Sequence, residues 1–328
     1  MAKWMAAFLS VFCGATVVAQ TTLLNASYDV TRELYQDYNA VFTKHWKEKT
    51  GESVKVNQSH AGSSKQARSV IDGLEADVLT MNNVNDVDMV MEIGRLIPKD
   101  WRTRFPNQSS PYKSTMIFLV RKGNPKAIKD WSDLVRPGVA IVIPNPKTAG
   151  NGRYSYLAAW AFASEKNKGD EAKVKDFMTK MFKNVPVLDT GGRGATTTFV
   201  QREIGDVLLT FESEVLQTAQ EGQGKYEAVY PSMSIEAEHP VAVVEKVVSR
   251  RGTRKLAEAY LNHLFSDEAQ EVIAKHNYRP TSETVARKHA DKFKSIRLVK
   301  TDDVFGGWAK AQKTHFADGG TFDQIYGR

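Results

Sequence analysis

Cysteine is almost absent: Cys13 is the only one in 328 residues. It falls inside an N-terminal segment that reads as an export signal, so the processed chain is expected to hold no thiol. That excludes a disulfide framework, a cysteine nucleophile and a thiolate metal site, and it suits an oxidising exported compartment. Long apolar runs are scarce too. The stretch from Trp4 to Val18 follows Lys3 and ends in Val17-Val18-Ala19, a small-residue cleavage pattern before Gln20. It is short for a membrane span, and Phe12 before Cys13 departs from a lipid-attachment pattern. The seven histidines are scattered and no His-Glu-x-x-His or Cys-x-x-Cys occurs, so no metal site is expected. His60 has no Gly-x-Ser-x-Gly elbow near it, and Ser63 suits a helix start better than a nucleophile; neither an enzyme nor a cofactor is expected. The 45 basic residues exceed the 38 acidic ones, giving +7, but the two interleave without a dense Lys/Arg block. A nucleic-acid partner is therefore not expected.

What is present is alternation of strand and helix patterns. Leu23–Ser27 reads as a strand, with Asp29 as N-cap of a helix to about Lys49 whose stripe is Leu34, Tyr38, Phe42 and Trp46. Val54–Val56 is a strand leading into a 58–63 loop and a helix to about Gly73. Ala76–Met81 is a third strand, followed by Asn82, Asn83 and Asn85. Ser114–Lys122 and Pro240–Val248 read as two long strands. Between them lie strand–loop–helix units at Val139–Ile143 and Val185–Leu188, and the strand Asp206–Thr210 leading to Glu212 and Glu214. Helical patterns fill 256–265, 267–275 and 282–288. The class is α/β with largely parallel sheets.

The unit after Ile143 is the most informative. Its loop, Pro144 to Arg153, holds Gly150 and Gly152 and precedes a helix-like run. A glycine-bearing loop at a helix start presents outward N–H groups and the positive end of the helix dipole, a ready anion seat. One such loop also serves as a plain tight corner. This chain repeats the arrangement four times, and in open α/β sheets ligands bind beyond the carboxyl ends of strands. Residues 114–122 and 240–248 then read as crossovers between two lobes: 20–113 plus 240–328 as the first and 114–239 as the second, after a signal peptide over 1–19. Glu212 and Glu214 read as helix-start charges that would repel an anion if they faced the cleft, and Trp308 as lobe packing.

Leu23-Leu-Asn-Ala-Ser-Tyr-Asp29, Gln58-Ser-His-Ala-Gly-Ser63, Phe118-Leu-Val-Arg-Lys-Gly-Asn-Pro125, Pro144-Asn-Pro-Lys147, Arg193-Gly-Ala-Thr-Thr-Thr-Phe199 and Val304-Phe-Gly-Gly-Trp308 carry a resemblance. Over essentially the whole chain after the signal segment, the sequence resembles the periplasmic sulfate-binding proteins of bacterial ABC importers. The resemblance implies a two-lobed type II periplasmic binding fold that closes on one anion by hinge motion. It implies a monomeric periplasmic receptor for sulfate or thiosulfate whose partner is a membrane permease. By motif, backbone donors fall on Asp29, Ser63, Gly150, Asn151 and Gly192, and Arg193 braces the binding peptides without touching the anion.

Two side-chain donors of that family pattern are missing. Its Ser-Gly-Gly is here Ala149-Gly150-Asn151, and its tryptophan after the Asp-Val-Leu strand is Phe211. Each lost donor to a charged acceptor is worth about 1.5–3 kcal/mol. Asn82, Asn83 and Asn151 bring amide groups that compensate or retarget the site, so a second expectation stands beside sulfate: another oxyanion, or a small organic sulfonate or sulfate ester.

Overall fold

The structure, a computed structural model, describes residues 20–327. The segment expected to be an export signal, with Cys13, lies outside the described residues. Two sheets organise the chain. The smaller contains β1 (Thr21–Tyr28), β2 (Val54–Ala61), β3 (Val78–Thr80) and β10 (Val241–Val243), in the order β10-β3-β1-β2. β1 pairs in parallel with β2 and β3, while β10 runs antiparallel along β3. The larger is built on β4 (Tyr112–Arg121), β5 (Ile141–Pro144), β6 (Val187–Asp189), β7 (Val207–Phe211), β8 (Tyr226–Val229) and β9 (Met233–Glu238). With the later strands β11 (Arg279–Pro280) and β12 (Arg297–Val299), its order is β12-β9-β4-β7-β5-β6, and β8 and β11 also pair with β4.

The sequence pattern explains the strands that carry the cleft. β5 and β7 are buried at every residue, as mostly apolar strands are when both faces of a sheet are covered. The larger sheet is mixed rather than largely parallel, β5 running parallel to β6 and β7 while β4 runs antiparallel to β7, β8 and β9. The stripe expected on the first long helix holds: in Arg32–Thr50, residues Leu34, Tyr38, Phe42 and Trp46 are all buried. Its rear end stops at Gly51, whose φ of 77° lets the chain leave in the left-handed region.

Three local expectations are corrected. Asp29 does not cap that helix. It opens a 3₁₀ turn, Asp29–Thr31, and the α-helix begins at Arg32. The segment 58–61 is strand rather than loop, because β2 pairs with β1 as far as Tyr28↔Ala61. Residues 240–248 are not one long strand either: β10 stops at Val243 and a helix runs from Glu245 to Arg251. The long partner of β4 near this point is β9, paired antiparallel as Lys113↔Glu238, Ser114↔Ala237 and Thr115↔Glu236. β4 and β9 lead to and from the larger sheet side by side.

The end of the chain returns to the larger sheet's helices. Tyr156, on the helix Gly150–Lys166, is ringed by His315, Phe316 and Phe322 at 5.2–6.0 Å between centroids. Trp308 meets Tyr154 edge-on at 4.9 Å, so it packs as the sequence suggests. Among the described residues, no helix is long and apolar enough to cross a membrane.

Candidate anion site

Five helical segments begin where strands of the two sheets end: at Asp29 after β1, Ser63 after β2, Gly150 after β5, Gly192 after β6 and Glu212 after β7. The residues in their N-cap positions are Tyr28, Gly62, Ala149, Gly191 and Phe211, and none makes a side-chain cap. Elsewhere Asn83, Asp170, Ser266 and Ser282 cap their helices with a side-chain oxygen. A helix leaves its first N–H groups without an internal acceptor. At these five starts that position holds glycine, alanine or an aromatic. Starts elsewhere, at Val244, Thr253, Lys300 and Gly320, also lack a side-chain cap, so what sets the five apart is that they lie together.

The starts meet. A Cβ built on Gly62 would stand 2.9 Å from Thr190 O and 3.0 Å from Thr148 O, so β2's end touches the loops after β5 and β6 directly. A Cβ on Gly192 would lie 2.9 Å from Asn151 Nδ2, 2.9 Å from Val30 Cγ1 and 3.2 Å from Glu214 Oε2. One on Gly191 would collide with the Asp29 carboxylate, and one on Gly150 with the side-chain amides of Asn82 and Asn83. Asp29, Asn82, Asn83, Gly150, Asn151, Gly192 and Arg193 are thus brought together at the ends of the two sheets' strands, with Ser63 and Ala149 next in the chain to Gly62 and Gly150. Asp29 Oδ2 accepts from Arg193 N–H at 3.1 Å, and the Arg193 guanidinium reaches Glu33 at 2.7 Å. The carboxylate of one sheet's helix start therefore occupies one N–H at the other's.

A buried network fastens the cleft from one side. Arg153 Nη1 donates to Asp86 Oδ1 at 2.9 Å, with the side chains only 4% and 0% exposed. Asp86 also accepts from Ser64 Oγ at 2.9 Å and Asn83 Nδ2 at 2.8 Å. Asn83 Oδ1 accepts from Asp86 N–H at 3.1 Å, and Asn83 Nδ2 also donates to Asn82 Oδ1 at 2.9 Å. Both amide hydrogens of Asn83 are thus engaged within the protein. Its effect on the cleft is to hold Asp86 and Asn82, not to offer a free donor.

On the other side, Asn151 Nδ2 donates to Thr210 Oγ1 at 2.7 Å, Thr210 Oγ1 donates to Glu214 Oε2 at 3.1 Å, and Thr196 Oγ1 donates to Glu214 Oε1 at 2.7 Å. Asn151 Oδ1, in a residue 2% exposed, has no partner among the described residues. The two helix-start acids separate here. Glu212 is buried on Arg279 at 2.6 and 2.8 Å, whereas Glu214 reaches the cleft's helix starts. Burial pushes its carboxyl up to about 7, with Arg193 opposing and Asp29 adding to the shift. Repulsion of an anion is thereby reduced. Asp29 is raised in the same direction by burial, against its hydrogen bond from Arg193.

Phe211 is wholly buried and joins an aromatic cluster. It meets Tyr28, Tyr154 and His239 edge-on at 6.2, 6.0 and 5.2 Å. His239 stacks on Tyr28, bonds its hydroxyl at 3.1 Å and is held near 3 by burial, so it is neutral. Ala149 is buried and contributes only a methyl group. His60 sits on β2 with Nδ1 3.0 Å from Tyr28 O and Nε2 2.5 Å from Gln58 Oε1.

A raised carboxyl carries a stability consequence. Stability that Glu214 contributes is complete below its ordinary value of 4.5 and is lost as pH rises through about 7. His239 acts oppositely, its share being lost below its ordinary 6.5. Comparing Glu214→Gln with the wild type isolates the first. From pH 4.5 to 8, the variant's melting temperature relative to the wild type is expected to climb, each pKa unit being worth about 1.4 kcal/mol. A constant difference would mean Glu214 ionises normally.

Sequence reading did not single out Asp86, Arg153, Thr196 or Thr210. Arg153 and Asp86 carried a usable sign, Arg153 lying in the singled-out loop from Pro144 and Asp86 following Asn85 directly. The threonines carried none.

The family model for bacterial extracellular solute-binding proteins matches residues 23–279. The thiosulfate-binding protein of Pseudomonas aeruginosa is 56% identical over 314 residues, covering 95% of this chain and 94% of that one. The sulfate-binding protein of Salmonella typhimurium is 54% identical over 327 residues, covering 99% of each. Among solved structures, the sulfate-binding protein SubI from Mycobacterium tuberculosis aligns with a TM-score of 0.80 at 30% identity, over 90% of this chain and 99% of that chain. With uncapped helix starts gathered between two α/β sheets and relatives matched end to end, the chain belongs to the bacterial extracellular solute-binding protein family.

Proposed function

We propose that this protein is a periplasmic receptor that captures sulfate or thiosulfate and delivers it to the membrane permease of an ABC importer. The observation that carries the reading is the convergence of uncapped helix starts on one cleft. Backbone N–H groups of Asp29, Ser63, Gly150, Asn151 and Gly192 hold the anion. Such donors stabilise a dehydrated anion without a full countercharge, and each is strong because its acceptor is charged. Arg193 braces the Asp29 side of the site. The chain acts as a monomer after removal of its signal segment. One lobe surrounds the smaller sheet and the other the larger, with β4 and β9 as the paired crossing strands about which they close.

The cleft serves binding, not catalysis: the ring of His60 is held by Tyr28 O and Gln58. Relatives more than half identical, named for sulfate and thiosulfate, favour these anions over an organic sulfonate. Phe211 tilts the choice towards thiosulfate. Where the family resemblance places an indole N–H, it offers only a ring, and a terminal sulfur accepts weaker hydrogen bonds than an oxygen does. The missing donor therefore costs sulfate more.

A thermal-shift series tests the reading. At a hundredfold excess over Kd, a ligand of the folded state adds about 2.7 kcal/mol. Sulfate and thiosulfate are expected to raise the melting temperature by several degrees, and methanesulfonate to leave it unchanged. A rise with methanesulfonate equal to that with sulfate would refute the assigned ligand class.

A further inference from the structure

Away from the cleft, three helices bring together two histidines and a carboxylate. His45 lies on the helix Arg32–Thr50, His263 ends the helix Arg254–His263, and Glu268 stands in the first turn of Asp267–Lys275. One ligand-type atom from each lies within 4.8 Å of the others. The His45 and His263 rings are 4.4 Å apart between centroids, and His263 Nε2 is 3.4 Å from Glu268 Oε2. His263 is 8% exposed, and its Nδ1 has no hydrogen-bond partner among the described residues. A buried polar group left unpaired is costly, so this ring has binding capacity that the protein does not use. His45 stands about 20 Å along its helix from the cleft end, at 1.5 Å per residue.

We propose that His45, His263 and Glu268 form a site for one divalent transition-metal ion of the zinc type. Two imidazole nitrogens and one carboxylate oxygen are the donors such ions take, with water completing the tetrahedron. Ligand atoms on a tetrahedral zinc stand about 3.4 Å apart. The half-buried His45 and the exposed Glu268 close the remaining gap by rotation, while Tyr38 and Phe42, each 5.8 Å from the His263 ring, pack that ligand in place.

Two other histidines meet carboxylates, but there a lysine already supplies the cation. Lys275 lies 2.9 Å from Asp37 beside His276, and Lys288 lies 2.6 Å from Glu271 beside His289. Among the described residues, Glu268 has no lysine or arginine ion pair, although Lys49 adds positive charge to the neighbourhood. Scattered in sequence, the histidines gave no spacing signal; helix packing alone assembles them.

Titrating chelator-treated protein with ZnCl2 by calorimetry tests this. One site of about micromolar affinity is expected, with a rise in melting temperature that MgCl2 does not reproduce. His45→Gln and Glu268→Gln, both at accessible positions, are each expected to weaken zinc at least tenfold and leave sulfate binding unchanged. Comparison with the wild type cancels any contribution from Cys13. Zinc affinity unaltered in both variants, or an equal response to magnesium, would overturn the proposal. So would absence of a one-to-one zinc site in the wild type.

Discussion

Asp86→Ala is expected to weaken anion binding a hundredfold or more. Asp86 and Arg153 form an ion pair whose side chains are 0% and 4% exposed, and it ties the helix after Asn83 to the helix after Ala149. Removing one member of a buried pair costs about 3–5 kcal/mol, because the other is left buried and uncompensated. In the proposed mechanism, that penalty falls on the closed form alone, since parting the lobes returns Arg153 to water. At 1.4 kcal/mol per tenfold, the loss reaches two to three orders of magnitude. Calorimetric titration of the variant with sulfate and thiosulfate checks this. Removing the stranded charge as well, in Asp86→Ala/Arg153→Met, is expected to recover part of the affinity. An affinity within threefold of the wild type in Asp86→Ala would show that the pair does not hold the cleft shut.

Gly150→Ala is expected to do comparable damage by a different route. The added methyl would land on the amides of Asn82 and Asn83. Asn83 cannot step aside without giving up its bonds to Asp86 N–H, Asp86 Oδ2 and Asn82 Oδ1. The Gly150 N–H would then stand off from the anion, and affinity should fall at least a hundredfold. Helix propensity acts in the opposite sense, alanine being better than glycine by about 1 kcal/mol in a helix interior and by less at a helix start. The anion-free variant should therefore melt no more than a few degrees from the wild type. A parallel fall in binding and anion-free stability would instead indicate general misfolding, and unchanged binding would remove Gly150 from the site.

The loops of the candidate site were legible in the sequence because strand-end glycines and helix-start residues are local. Ala149-Gly150-Asn151, Gly192 and Ser63 sit where the strand–loop–helix pattern and the family resemblance place them, and the structure brings them together. Contacts between distant elements were not legible. Nothing local pairs Asp86 with Arg153 or sets Glu214 beside Gly192. Asn83 was read as an amide donor facing the cleft, but its two amide hydrogens go to Asp86 Oδ2 and Asn82 Oδ1. The 240–248 run failed for another reason. An apolar stretch of that length has no periodicity that separates strand from helix, and the chain uses three residues of it as strand before turning helical at Glu245.

In the proposed function, uncharged helix-start donors seize one sulfur oxyanion between two lobes. Isothermal titration of the exhaustively dialysed, anion-free protein with sulfate, and separately with thiosulfate, tests it most directly. A single saturable site for both is expected, with thiosulfate at least as tight, and with binding lost in Gly150→Ala. Absence of saturable heat with either anion would contradict the account.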